Sequence, residues 1–164
     1  MGGATRRVAI ALGSNLGDRA AHLVFGILAL RGVLSNLVVS TFVETVPQDV
    51  APASPLFLNA AVVGTSARSP GGLLATLLSI ENARQRERPF PGAPRTLDLD
   101  LILTGQDTVD GDDLQLPHPR FRERLFVLGP LAEIAPDLID PVTGRTVRQL
   151  LAAAAIAQSS EPAR

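Results

Sequence analysis

The stretch Pro94-Arg95-Thr96-Leu97-Asp98-Leu99-Asp100-Leu101-Ile102-Leu103 alternates with a period of two, the mark of a strand with one buried face. Leu97, Leu99, Leu101 and Leu103 are predicted to enter a core, with Asp98, Asp100 and Ile102 on the opposite face. At a rise of ~3.3 Å per residue the two aspartates stand about 6.6 Å apart. Carboxylates that close repel, and one takes up a proton unless a cation lies between them. Asp is depleted in strands, and the chain holds no lysine to neutralise the pair. Hard oxygen donors of this kind suit a divalent metal. The competing reading is a solvated outer face of an antiparallel strand.

The flanking segments supply the other elements. Val8 to Leu12 is a short apolar run, predicted as a buried strand that ends at a Gly-bounded turn. A helix follows, capped near Asp18 and stopped at Gly32. Leu37 to Val46 is rich in Val and Thr and predicts a second strand, Phe57 to Thr65 a third. A helix is expected from about Pro70 to Arg88, ended by Pro89. Beyond the aspartate strand come an acidic hairpin near Asp110, Asp112 and Asp113, a helix from roughly Phe121 to Ala135, and a last helix from about Val147 to Ala157. The order is β-α-β-β-α-β with a helical tail. It predicts an α+β, ferredoxin-like split β-α-β fold with a mainly antiparallel sheet, helices packed on it and a C-terminal helical extension. One domain is expected over 8–158, between a disordered lead, 1–7, and a flexible tail, 159–164.

Three groups of side chains stand out beside the carboxylates. Arg84, Arg86, Arg88 and Arg95 bracket the loop Pro89-Phe90-Pro91-Gly92-Ala93-Pro94 and predict a cluster facing a shared anion; a basic helix end that complements the dipole is the plainer reading. Arginines beside a metal are recurrent equipment for holding polyphosphate. Leu116-Pro117-His118-Pro119-Arg120-Phe121-Arg122-Glu123-Arg124 adds a histidine and three more arginines. Asn59, in a strand where Asn is disfavoured, offers donors and an acceptor that match a heterocyclic ring edge, with Phe57 on the same side. A strand-end amide bonded to loop backbone is the alternative. His22 is read as a surface or half-buried helix residue.

Composition narrows the chemistry. All 15 basic residues are arginine, which excludes a Walker phosphate loop and a lysine Schiff base. The absence of cysteine excludes disulfides and thiol nucleophiles. A net charge of −1 argues against a general nucleic-acid or membrane binder, and no apolar run has membrane-spanning length. A cytoplasmic protein is expected. Two classes remain open on these grounds: a magnesium-dependent nucleotide phosphotransferase and a sheet-faced binding module.

Four blocks occur in order: Ala11-Leu12-Gly13-Ser14-Asn15-Leu16-Gly17-Asp18, Phe57-Leu58-Asn59-Ala60-Ala61, Pro94-Arg95-Thr96-Leu97-Asp98-Leu99-Asp100, and Leu116-Pro117-His118-Pro119. Together they resemble the 6-hydroxymethyl-7,8-dihydropterin pyrophosphokinases of folate biosynthesis, from about Val8 to Leu151. The resemblance implies transfer of the β,γ-pyrophosphoryl group of ATP to the hydroxymethyl oxygen of a dihydropterin, with AMP released; a monomer that binds neither nucleic acid nor membrane is expected. The resemblance also implies that Asp98 and Asp100 hold two magnesium ions, that Arg86 and Arg95 act on the phosphates in catalysis, and that Glu81, Arg88, His118 and Arg124 contact the nucleotide. Asn59 and Thr45 would read the pterin, with Phe57 and Phe126 as its stacking partners. This sequence departs from the family pattern in a loop one residue shorter between Glu81 and Arg95, in Phe90 for a loop tryptophan, in Gln85 for a glycine, and in Asp113 at a position basic in some relatives.

Overall fold

The computed structural model describes residues 3–46, 56–84 and 96–160. In chain order the elements are β1 (Arg6–Ser14), α1 (Arg19–Arg31), β2 (Ser35–Val39), β3 (Val43–Thr45), β4 (Phe57–Ser66), α2 (Pro70–Ala83), β5 (Asp98–Thr104), β6 (Val109–Asp110), β7 (Gln115–Leu116), α3 (Leu125–Ile134) and α4 (Val147–Ser159), with one 3₁₀ turn at Phe121–Glu123. β1 lies at the centre because its run from Val8 to Leu12 is apolar on both faces and needs cover on both. It pairs antiparallel with β4 on one side and β5 on the other, and β2 and β3 both pair with the far edge of β4. The strand order β2-β4-β1-β5 is the ferredoxin-like, α+β arrangement expected. β6 and β7 form a separate hairpin where the acidic turn was predicted.

The sheet has a core on each face. Val8, Ile10, Leu12, Leu97, Leu99 and Leu101 pack against Leu23, Ile27 and Leu30 of α1 and Leu73, Leu77 and Ile80 of α2. Gly26 lets α1 lie close, since a Cβ there would sit 3.3 Å from side-chain atoms of both Leu12 and Leu97. On the other face Ala9, Ala11, Ala61, Val63 and Ile102 pack under α3 and α4, with Phe121, Val127, Leu128 and Leu131 as the larger fillers. The C-terminal helices are therefore a third layer of the domain.

Several boundaries differ from the sequence reading. The predicted second strand is two, β2 and β3: the segment from Val39 to Val43 carries one residue more than its partner from Asn59 to Val62. The Ser40 hydroxyl fills the gap by accepting from the Ala61 N–H at 2.8 Å, while Glu133 of α3 takes the N–H and hydroxyl of Thr41. Leu103 does not share the face of Leu97, Leu99 and Leu101. Ala9 pairs with Leu103 and Ile10 with Leu101, so Ile102 is a bulge residue and Leu103 turns into the second core. The helix expected to begin at Phe121 opens as the 3₁₀ turn and becomes α-helical at Leu125. α2 ends at Ala83 rather than near Arg88, and β1 already includes Arg6 and Arg7 from the predicted lead. The predictions on Arg86, Arg88, Phe90 and Arg95 lie outside the described residues.

Candidate active site

Register across the sheet assembles the site on the face covered by α3. Asn59 of β4 stands opposite Gly13 of β1, which stands opposite Asp98 of β5; in the next row Ala61, Ala11 and Asp100 are aligned in the same way. On this face the middle strand presents Gly13 and Ala11, leaving a low floor between an amide on one side and two carboxylates on the other. A cavity of about 210 Å³ occupies this floor. Thr45 and Phe57 wall it from the β3–β4 side, and Arg120, Arg124 and Phe126 from the segment that leads into α3. An ideal Cβ on Gly13 would lie 3.3 Å from Asn59 Oδ1 and 3.5 Å from the Phe57 ring, so the glycine sets how deep that floor is.

Asn59 is 5% exposed, and its Nδ2 donates to the Thr45 hydroxyl. That bond fixes the orientation of the amide at the cavity wall. The Thr45 oxygen, having accepted, keeps its own proton to donate. Phe57 and Phe126 come from the sheet and from α3 respectively, and the Arg124 guanidinium lies 5.6 Å from the Phe126 ring centroid. An aromatic-walled slot with one oriented amide and one hydroxyl has the composition of a pocket for a planar, hydrogen-bonding ring.

A second cavity, of about 370 Å³, opens on the outer side of β5. It shares Asp100 with the first and adds His118, Gln115 and Asp113. His118 is held from two directions: its backbone N–H donates to the Ile102 carbonyl at 2.9 Å, and its Nδ1 accepts from the Arg120 N–H at 3.2 Å. Burial, with Arg124 and Arg120 nearby, pushes its pKa down to about 4. The ring is therefore neutral at pH 7, and with Nδ1 accepting, Nε2 carries the hydrogen.

The structure sorts the arginines. Arg120, which the sequence reading did not single out, lines the first cavity together with Arg124. Arg122, between them, turns away to a bidentate pair with the fully buried Asp140, at 2.6 and 2.9 Å. Spacing alone would have separated them, since Arg120 and Arg124 flank a single 3₁₀ turn that throws Arg122 to the other side. Arg84 also leaves the predicted cluster: its Nε donates to His22 Nδ1 at 2.8 Å, and its guanidinium lies 4.8 Å from the Phe25 ring centroid. His22, half-buried as expected, has its pKa lowered by burial and by Arg84. Glu81 is 3% exposed and lines neither cavity; its Oε2 accepts from the Leu99 N–H at 2.8 Å. Among the described residues no three His, Asp or Glu side chains gather as a closed metal cage, so the acidic donors here are the pair Asp98 and Asp100.

Paired carboxylates and two arginines line one cavity together with the wall of a slot for a ring, on a ferredoxin-like α+β sheet, the equipment of a phosphoryl-transfer site. The family model for 7,8-dihydro-6-hydroxymethylpterin-pyrophosphokinase matches residues 9–136, and the chain belongs to that family. A 2-amino-4-hydroxy-6-hydroxymethyldihydropteridine pyrophosphokinase of Methylorubrum extorquens is 40% identical over 154 residues, which cover 89% of this chain and 92% of that protein. The protein of the same description in Bacillus subtilis is 38% identical, covering 85% and 84%. In fold, the chain is similar to the crystal structure of Plasmodium falciparum HPPK-DHPS with pteroate, at a TM-score of 0.75 and 14% identity. That match takes in 96% of this chain and 46% of the longer Plasmodium chain. No helix among the described residues is long and apolar enough to cross a membrane.

Proposed function

We infer that the chain, like the family it belongs to, transfers pyrophosphate from ATP to the hydroxymethyl group of 6-hydroxymethyl-7,8-dihydropterin, giving AMP and the pterin diphosphate in folate biosynthesis. The observation that carries the assignment of the site is one cavity lined both by Asn59, Thr45, Phe57 and Phe126 and by Asp98, Asp100, Arg120 and Arg124. Such a cavity suits a flat acceptor whose hydroxyl must meet a polyphosphate. Asn59 and Thr45 bond the pterin edge, and Phe57 and Phe126 enclose its faces and exclude water from the reacting oxygen. His118, neutral and carrying hydrogen on Nε2, donates to the nucleotide from the second cavity, which meets the first at Asp100. Arg124 faces the phosphates. Arg86, Arg88 and Arg95, carried over from the family pattern, would complete the charge.

Magnesium fits the donor set. Two carboxylates on one strand face, with no third acidic or imidazole partner among the described residues, match a cation that keeps several waters and takes its other ligands from substrate phosphates. Asp98 and Asp100 would hold two such ions, which when bound neutralise the triphosphate and favour ionisation of the attacking hydroxyl. The side chains of the chain then do what fixed groups do best: they orient the acceptor hydroxyl toward the β-phosphorus and hold the charge that develops on the leaving AMP.

One assay tests the reaction. Purified protein incubated with magnesium, ATP and the hydroxymethyl dihydropterin is expected to yield AMP and the pterin diphosphate. ADP in place of AMP would make it an ordinary kinase, and no nucleotide product would make it a binding module. A monomer acting in the cytoplasm is the expected setting, checked by light scattering and cell fractionation.

A further inference from the structure

We propose that Glu81 is a positioning residue for the carboxylate pair, acting through the Leu99 amide to set the strand on which Asp98 and Asp100 stand. β5 is an edge strand: one side pairs with β1, and the other has no strand neighbour among the described residues. An edge normally leaves its outward N–H groups to water. Here the Leu99 N–H, which belongs to the peptide joining Asp98 to Leu99, is taken by Glu81 Oε2 at 2.8 Å. The acceptor is 3% exposed. A glutamate is almost never buried this far without specific partners, and a carboxylate accepting a backbone N–H makes a short, strong, directional bond.

The carboxylate also rises from a fixed base. Leu77 and Ile80, in the same last turns of α2, are locked in the core under β5. The cap residue Arg84 donates its N–H to the Ile80 and Glu81 carbonyls, and its guanidinium is tied to His22 and stacked on Phe25. The end of α2 therefore acts as a bracket that grips β5 between the two aspartates from outside the cavity. Positioning, rather than contact with the nucleotide, follows from where the side chain goes: it meets the strand backbone and lines neither cavity. Reacting groups held a fraction of an ångström from their productive places retain their function, and a displacement of about 1 Å costs on the order of a hundredfold.

The proposal rests on the roles given above to Asp98 and Asp100, and its test separates the two. In ligand-free protein, hydrogen exchange at the Leu99 amide is expected to speed up at least ~10-fold in Glu81→Ala and to stay within about threefold in Glu81→Gln, whose amide oxygen still accepts. In turnover, Glu81→Ala is expected to lose about 10- to 100-fold in kcat, to need more magnesium for half-maximal rate, and to keep the KM for pterin within about twofold. Glu81→Gln is expected to recover most of the rate. Unchanged Leu99 exchange in Glu81→Ala would overturn the proposal. So would a Gln variant as slow as the Ala variant, or a raised KM for ATP at constant kcat, either of which points to a charge acting on the nucleotide. Should Glu81→Ala fail to fold, the Gln variant decides alone: retained protection and rate support the proposal, and loss of either overturns it. Full activity in Asp98→Ala would instead remove the underlying site reading and leave the exchange result standing.

Discussion

Gly13→Ala adds one methyl group to the floor of the first cavity, and the structure fixes what that methyl meets. Its Cβ would stand 3.3 Å from Asn59 Oδ1 and 3.5 Å from Cδ1 of Phe57. The first distance is tighter than ordinary van der Waals contact, so the amide must give by a few tenths of an ångström. It cannot do so freely, because Nδ2 is held by Thr45 and the residue is 5% exposed. The amide then meets the ligand edge with degraded geometry, at a cost of one net hydrogen bond of about 0.5–1.5 kcal/mol, and the methyl narrows the slot. Pterin binding is expected to weaken about 2- to 12-fold, at 1.4 kcal/mol per tenfold. The affinity for ATP should change by less than about twofold, because the methyl lies at the ring end. Stability should not fall: Gly13 has no left-handed φ, and replacing glycine in a strand interior gains roughly 0.5–1 kcal/mol in the unfolded state. Calorimetric titration with pterin and ATP separately, beside a denaturant melt, checks all three. Unaltered pterin affinity in the folded variant would refute the argument that Gly13 sets the depth of the slot.

Other expectations follow from the same geometry. Asp98→Ala and Asp100→Ala are each expected to fold and to lose at least ~10²-fold in AMP formation, the scale of a lost electrostatic stabiliser; near-normal turnover in the folded double variant would sink the metal assignment. Asn59→Ala should weaken pterin binding in calorimetry and leave ATP binding nearly unchanged, whereas equal loss of both would make Asn59 structural. His118 has a pKa of about 4 in the fold, below its ordinary 6.5, so the unfolded chain binds the extra proton between those values. Its contribution to stability is complete above pH 6.5 and is lost as the pH falls toward 4, on the order of 1–2 kcal/mol after allowing for its partial exposure. Urea melts at pH 7 and pH 5 should show a smaller pH effect in His118→Gln than in the wild type. Asp140→Ala removes a fully buried carboxylate and strands the Arg122 guanidinium, with an expected loss of about 3–5 kcal/mol measured by the same melts.

Period-two patterning made the site strand legible because a strand edge converts sequence parity directly into facing. Leu97, Leu99 and Leu101 lie in one core, while Asp98 and Asp100 line the cavity on the other face. What parity does not encode is the partner. The break between β2 and β3 depends on the Ser40 hydroxyl reaching Ala61 and on Glu133 arriving from 92 residues away to take the Thr41 N–H. The second core was invisible for the same reason: nothing in the apolar face of Val147, Leu150 and Ala154 says which side of the sheet it will cover. Arg84 and Arg86 share a composition signal, yet only three-dimensional proximity to His22 and Phe25 marks Arg84 as a clasp between helices. Glu81 was named only through the family resemblance, and its partner is a backbone N–H, which every residue except proline carries and no sequence pattern distinguishes.

The bulge at Ile102 connects these observations, since one extra residue in β5 does two jobs at once. Before it, β5 turns leucines to α1 and α2 and aspartates to the open floor beneath α3. After it, Leu103 faces the second core with Ile102, so the strand ceases to line a cavity and is sealed by α3 and α4. The site must therefore end at Asp100. The same departure from regular pairing leaves the Ile102 carbonyl to accept the His118 N–H, which anchors the loop of the second histidine two residues from Asp100 and brings Arg120 and Arg124 round to the cavity. Removing Ile102 would keep Leu103 opposite Ala9 in the second core and take away the carbonyl that holds His118. Deleting Ile102 is thus expected to disturb nucleotide binding through His118 while leaving the amide pocket of Asn59 and Thr45, on the far side of β1, able to bind pterin. Loss of both affinities in a folded deletion variant would mean that β5 and β4 do not act as separable halves of the site.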